Sequence, residues 1–234
     1  MNLSIVIPAY NEAKRITNTL QLILRYFAPK KLAYELIVID DGSKDDTLKI
    51  VQALAAEHQE IKVISYRPNR GKGHAVRQGV EAAQGQLILF SDADLSTPIE
   101  EYDHLRQVLD SGYDLVLGSR ALKTSEVKVH QPLYRELMGK TFNLLIKLLL
   151  FKGFNDTQCG FKLFKAGPAK DLFQRIRVKH FAFDVELVYL ALRRGYKVKE
   201  EGVKWLNSPG SRVSPLKDSA LMLLDLFRIR FFSK

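Results

Sequence analysis

The residues best placed to do chemistry lie in LILFSDADLSTP (87–98), where an apolar run meets Asp92-Ala93-Asp94. Two carboxylates one residue apart repel each other, so a positive partner is expected. Alternate residues of an extended segment point the same way, so Asp92 and Asp94 both aim at one spot beyond the strand. Hard oxygen ligands there suit magnesium or manganese, ions that keep open positions for phosphate oxygens. A cation bridging a diphosphate would relieve the repulsion. Three further polar clusters also follow apolar runs: Pro8-Ala9-Tyr10-Asn11-Glu12, Asp40-Asp41-Gly42-Ser43 and Gly118-Ser119-Arg120. Helix capping explains any one of them, Asp45 included. Four at the same edge of a sheet favour a ligand site, because open α/β sheets bind outside the carboxyl ends of their strands.

The elements that must position these residues alternate. Strands are expected at 3–8, 34–40, 61–66, 86–91 and 114–118, with helices at 11–27, 45–58 and 73–84. Continuous apolar strands separated by helices imply an α/β fold with a mostly parallel central sheet flanked by helices on both faces. Beyond 118 the pattern changes. The polar stretch 119–132 reads as a mobile loop. A helix near 133–151, the short segment FKLF (161–164), a helix around 182–194, a strand near 196–205 and a basic helix at 216–232 follow. One domain spanning 1–234 is expected, with 1–118 as the nucleotide-binding half and 119–234 completing the site.

With 36 Lys and Arg against 26 Asp and Glu, the net charge of +10 favours an anionic partner: nucleic acid, an anionic membrane or a phosphorylated substrate. One cysteine, Cys159, excludes an internal disulfide and suits a reducing compartment. The apolar stretch Leu3–Ala9 lacks a basic lead and is broken by Pro8, unlike a signal peptide. FNLLIKLLLF (142–151) is too short to span a bilayer and carries Lys147. No GxxxxGK[ST] is present, and GKG (71–73) follows the third strand rather than the first, which weakens ATPase and dinucleotide-dehydrogenase readings. No stacking-rich groove or recognition motif supports nucleic-acid binding.

In order, IVIPAYNE, VIDDGSKDDT, NRGKGHAVRQG, FSDADLS and LGSR resemble the family-2 inverting glycosyltransferases of the GT-A (Rossmann-like) fold. DTQCGFKLF, FAFDVEL and VKWLNSPGSRVSPLKDS are similar to the polyprenyl-phosphate sugar transferases, first the dolichyl-phosphate β-glucosyltransferases and then the mannose synthases. The resemblance implies that Pro8, Tyr10, Glu12 and Asp41, with Asp40 beside them, line the nucleoside pocket. It places metal and diphosphate on Asp92 and Asp94 around Ala93, and phosphate groups on Arg120 and Arg135. Asp94, Arg120 and Arg135 would carry catalysis, and Arg212 would add to the donor site. Mannose synthases often carry a metal-assisting glutamine where this chain has Ser96, and Phe-Lys where it has Phe183-Asp184. The implied donor is UDP-glucose, with GDP-mannose the alternative, and the acceptor is a polyprenyl (dolichyl or undecaprenyl) phosphate.

A phosphate acceptor also fits the chemistry. Its second pKa is about 6, so it is anionic at neutral pH and needs cations rather than a general base. The rival, a sugar-hydroxyl acceptor, demands a base, for which Asp184 or Glu186 would serve. The apolar 142–154 segment, with Lys147 and Lys152 placed to snorkel, suits either a lipid tail or the core. The Arg- and Phe-rich C-terminus suits an anionic membrane, the sheet or a dimer contact. The expected location is peripheral, on the cytoplasmic face of a membrane.

Overall fold

Runs of Ile, Val and Leu form the strands, and the half-apolar segments between them form the helices. The computed structural model describes residues 1–129, 133–206 and 217–233. Its elements are β1 (Leu3–Ala9), α1 (Ile16–Phe27), β2 (Tyr34–Asp40), α2 (Thr47–Glu57), β3 (Ile61–Ser65), α3 (Lys72–Ala82), β4 (Leu87–Ser91), α4 (Glu101–Asp110) and β5 (Leu115–Ser119). There follow β6 (Glu126–Val129), α5 (Leu133–Leu149), β7 (Phe161–Lys165), α6 (Ala166–Arg175), α7 (Phe183–Arg193), β8 (Val198–Gly202), β9 (Lys204–Leu206) and α8 (Lys217–Phe232). Seven strands make one sheet in the order β3-β2-β1-β4-β7-β5-β8. Only β7 runs antiparallel to its neighbours, β4 and β5.

Alternation along the strands loads both faces of the sheet. Leu3, Ile5 and Ile7 of β1 pack with Ile16, Leu20, Ile23 and Phe27 of α1 and with Leu105 of α4. Val6 points the other way, toward Val76 and Val80 of α3 and Phe183 of α7. Burying each such side chain contributes about 1.5–3 kcal/mol, so the two layers fix the direction in which every strand ends.

Several sequence expectations are corrected. The first helix begins at Ile16, not residue 11, because Asn11 is left-handed (φ 56°) and its loop is stitched to the one after β2. Helices α4 and α6 were not expected. The stretch 119–132 contains strand β6, which pairs in parallel with β9. The expected strand at 196–205 is two strands in different sheets, β8 beside β5 and β9 beside β6.

Helices α5 and α8 pack together, each with one face inward. Ile146, Leu226 and Ile229 are buried, whereas Leu148 is 70%, Phe231 69% and Phe232 63% exposed. The 142–154 segment is therefore neither a wholly buried core helix nor wholly lipid-facing, and α8 both packs on the core and presents apolar surface.

Candidate active site

The loops after β1, β2, β3 and β4 meet at the carboxyl edge of the sheet. Glu12 N donates to Thr47 Oγ1 (2.7 Å) and Lys44 N to Asn11 Oδ1 (2.7 Å), which binds the first loop to the second. Asp41 is buried and accepts from Asn69 Nδ2 (2.8 Å), Arg70 N (2.8 Å) and Gly71 N (2.9 Å), which fixes the loop leading into α3. Asp40, fully buried, accepts from Ser43 N (3.2 Å) and Ser65 Oγ (3.1 Å). Between these loops opens a cavity of about 570 Å³ lined by Tyr10, Gly42, Ser43, Lys44, Arg67, Pro68 and Asn69, within the range of small-ligand sites. Of the residues expected in a nucleoside pocket, Tyr10 lines this cavity, and Pro8 stands two residues earlier in the chain, on β1. Glu12, Asp40 and Asp41 brace the loops that shape it.

Asp92 and Asp94 stand at the end of β4. Ala93 O accepts from Thr19 Oγ1 (2.6 Å), pinning the turn to α1, and Leu95 takes a left-handed backbone (φ 44°). A non-glycine residue held there indicates a turn over-determined by its surroundings. Asp94 Oδ1 accepts from Ser96 N (3.0 Å). Part of the positive partner asked for by the sequence comes from the chain itself. Lys72 Nζ lies 2.7 Å from Asp92 Oδ1, and Arg15 Nη1 lies 3.8 Å from Asp94 Oδ2. Burial would lower the Lys72 pKa, yet the charge of Asp92, then of Asp184, holds it above the ordinary lysine value.

Among the described residues no group of three or more His, Cys, Asp or Glu gathers as a metal cage. The two carboxylates, each partly solvent-exposed, form a donor set that fits a hard divalent cation completed by water or phosphate oxygens. Asp92 is seated on Gly160, where an added Cβ would come within 1.9 Å of Oδ2, and Asp92 N donates to Gly160 O (2.9 Å).

Arg120, at the end of β5, is held rigidly. Nε and Nη2 donate to Asp156 Oδ2 and Oδ1 (2.7 and 2.9 Å), and its guanidinium lies 5.6 Å from the Trp205 ring centroid. Burial opposes its charge, but Asp156 outweighs burial and raises the pKa further; Asp92 is among the charges it feels. Asp156 is itself oriented by Glu200, which accepts from Asp156 N (2.7 Å) and Ser119 Oγ (2.7 Å). Arg135 stands on α5, its side chain outside the described part, and Arg212 lies outside the described residues.

Beneath the Asp92 turn the ring of Phe90 lies 5.3 Å from both Lys72 Nζ and Lys162 Nζ. Lys162, fully buried on β7, forms an ion pair with the buried Asp184 of α7 at 2.6 Å. Burial raises the Asp184 pKa, while Lys162 and Lys72 act against that rise. Glu186, also fully buried, accepts from Arg177 N (2.9 Å), Val178 N (2.7 Å) and Ser233 Oγ (2.5 Å). Lys72, Arg15, Asp156 and Lys162 were not singled out from the sequence. Lys72 alone left a local trace there, as a cation between two glycines at the start of a helix.

A mostly parallel sheet whose carboxyl edge carries both a carboxylate pair and a cavity of small-ligand size fits a nucleotide-sugar transferase of the GT-A class. The chain belongs to glycosyl transferase family 2, whose sequence model matches residues 4–173. It is 34% identical to a dolichyl-phosphate β-glucosyltransferase of Dictyostelium discoideum, over 98% of this chain and 74% of that protein. To the dolichyl-phosphate β-glucosyltransferase of Homo sapiens it is 35% identical, over 97% of this chain and 74% of the relative. Among solved structures it is similar in fold to glucosyl-3-phosphoglycerate synthase from Mycobacterium tuberculosis in complex with Mn2+, UDP-glucose and glycerol 3-phosphate. That match has a TM-score of 0.69 and 19% identity, covering 98% of this chain and 80% of the other.

Proposed function

We propose that the protein transfers glucose from UDP-glucose to a polyprenyl phosphate of the dolichyl class, with inversion, giving a β-linked lipid-phosphate glucose. The observation that carries this reading over a sugar-hydroxyl acceptor is the state of Asp184 and Glu186. Asp184 is paired with Lys162 and all but inaccessible, and Glu186 is fully buried and accepts from three donors. Buried as they are, neither comes within hydrogen-bond reach of an acceptor hydroxyl, whereas an ionised phosphate needs no proton taken. The relatives matched over nearly the whole chain support the same choice.

In this reading residues 1–118 form the donor half: Tyr10 lines the nucleoside cavity, and Asp40, Asp41, Glu12 and Pro8 hold its walls. Asp92 and Asp94, around Ala93, would hold magnesium or manganese. When bound, that ion would neutralise charge on the leaving diphosphate. Arg120, locked by Asp156, offers a fixed cation to the acceptor phosphate, with Arg135 as a further partner for that phosphate, while Arg212 adds to the donor site. An acceptor oxygen bonds to C1 of glucose as the bond from C1 to the UDP oxygen breaks and its electron pair leaves with UDP. The test is a panel of UDP-glucose, UDP-N-acetylglucosamine and GDP-mannose with a short-chain polyprenyl phosphate, following label into organic solvent. Label carried only by UDP-glucose is the expected result. Transfer from GDP-mannose alone, or only to soluble sugars, overturns the reading.

The seat of Asp92 gives a sharp test of the donor site. Gly160→Ala removes no carboxylate yet forces that of Asp92 aside. A displacement of about 1 Å costs roughly a hundredfold in rate, so kcat/KM is expected to fall by about that factor with the fold retained. Wild-type kinetics in the alanine variant would remove Asp92 from the site.

Among the described residues no helix is long and apolar enough to cross a membrane. The exposed apolar face of α5 and α8, bordered by Arg228 and Arg230, is proposed to seat on the anionic, cytoplasmic surface of the acceptor's membrane. Each basic residue near such a surface contributes about 1 kcal/mol, screened by salt. Phe231→Ser with Phe232→Ser is expected to weaken co-sedimentation with anionic vesicles roughly tenfold or more while sparing turnover of a water-soluble acceptor. Unchanged vesicle binding would sink this seat.

A further inference from the structure

A second cavity, of about 440 Å³, lies apart from the nucleoside pocket, between the start of α3 and the chain leaving α6. Its lining includes Arg77, Arg175, Arg177, Lys179 and His74, and no acidic residue. Two of these cations are balanced from outside. Arg77 Nε lies 2.7 Å from Glu81 Oε1, and Arg175 Nε donates to Asp171 Oδ1 at 3.1 Å. Arg177 and Lys179 are exposed and have no acidic partner among the described residues. The cavity lining therefore carries two side-chain cations without an ion pair, set against the buried Glu186 carboxylate that binds the Arg177 and Val178 backbone from behind.

Its walls are built rather than incidental. His74 N donates to Lys179 O (3.2 Å), and a Cβ on Gly73 would lie 2.7 Å from Val178 O, so α3 and the 177–179 segment meet backbone to backbone. Glu186 holds that segment from behind through Arg177 N and Val178 N. His74 Nε2 is buried with no hydrogen-bond partner among the described residues. Burial first, then Arg70, with Lys179 and Arg77 adding to it against Asp41, hold the imidazole pKa below its ordinary value. The site thus has a positive field, with the His74 ring in its wall as a reporter.

We propose that this cavity binds a phosphate-class anion, either inorganic phosphate or the phosphate headgroup of an anionic lipid, independently of the nucleotide. Arg177 and Lys179 supply charge-assisted hydrogen bonds, the stronger kind, on walls that need little reordering.

The probe is the ring spectrum of the five histidines in protein saturated with UDP, titrated with inorganic phosphate at constant ionic strength. His74 is expected to shift saturably. Arg177→Gln with Lys179→Gln, both exposed, is expected to weaken phosphate roughly tenfold or more and leave UDP affinity unchanged. Lys179→Gln alone serves should the double variant fold poorly, with an intermediate effect. Lys31→Gln with Lys49→Gln makes the same charge change at other exposed positions and is expected to change nothing.

A parallel arm uses phosphatidylglycerol against phosphatidylcholine vesicles. A His74 shift with phosphatidylglycerol but not with free phosphate, lost in the cavity variants alone, assigns the headgroup as the source. A shift with free phosphate assigns the soluble anion. No His74 response to either probe, an equal response to chloride, or equal affinity in the cavity and control variants overturns the proposal.

Discussion

An Asp94→Asn protein is expected to transfer sugar roughly a thousandfold more slowly than wild type, about 4 kcal/mol of lost transition-state stabilisation. Asn keeps the shape of Asp and can still accept from Ser96 N, so the turn at 92–96 should survive. Arg15 loses only a partly exposed partner at 3.8 Å, which costs little. What is removed is one of the two negative charges that a divalent cation would need here. The thermal midpoint should therefore stay within a few degrees of wild type, while manganese affinity, read by paramagnetic resonance without any turnover, should fall sharply. Chelator should silence the wild type, and added manganese should restore it. Full activity in excess chelator, or manganese bound equally well by the variant, would refute a cation at this carboxylate pair.

How far the sequence could be read depended on whether a feature was local. β1, β2 and β4 are runs such as LSIVIP and LILFS, which declare a doubly buried strand by themselves, and the polar residues ending them marked the site's edge. Helix α4 was missed because only Tyr102, Leu105 and Leu109 are buried, with Val108 partly so, in a decapeptide that is otherwise polar. Helix α6 begins Ala-Gly-Pro, which reads as a loop, although proline is tolerated in a first helical turn. Strand β6 exists only because β9, far along the chain, lies beside it. Partners across the chain were equally hidden. Arg120 was visible as a candidate cation, but Asp156, which fixes it from 36 residues away, was not. Lys162 in FKLF alternates as a solvent-facing residue should, yet it is fully buried because β7 is inserted between β4 and β5 and its polar face meets α7.

That buried lysine makes the second large effect a matter of stability. Asp184→Ala would leave the Lys162 ammonium without its 2.6 Å counter-ion in a fully buried position. Breaking a buried pair from one side costs about 3–5 kcal/mol, because the remaining charge is neither solvated nor compensated. Urea unfolding of Asp184→Ala is expected to show a loss of that size. Replacing both partners, as in Lys162→Met with Asp184→Leu, should recover most of it, since two apolar residues ask for no solvation. Asp184→Asn, assayed well below its unfolding midpoint, separates stability from chemistry. Losing a general base costs about 10²–10⁴ in rate, so a kcat loss under about tenfold per folded molecule is the mark of a structural carboxylate. The residual effect should fall on donor KM, because Asp184 is one of the charges that hold Lys72 protonated beside Asp92. A stable Asp184→Asn protein with a thousandfold lower kcat would instead make Asp184 the base, and the acceptor a hydroxyl.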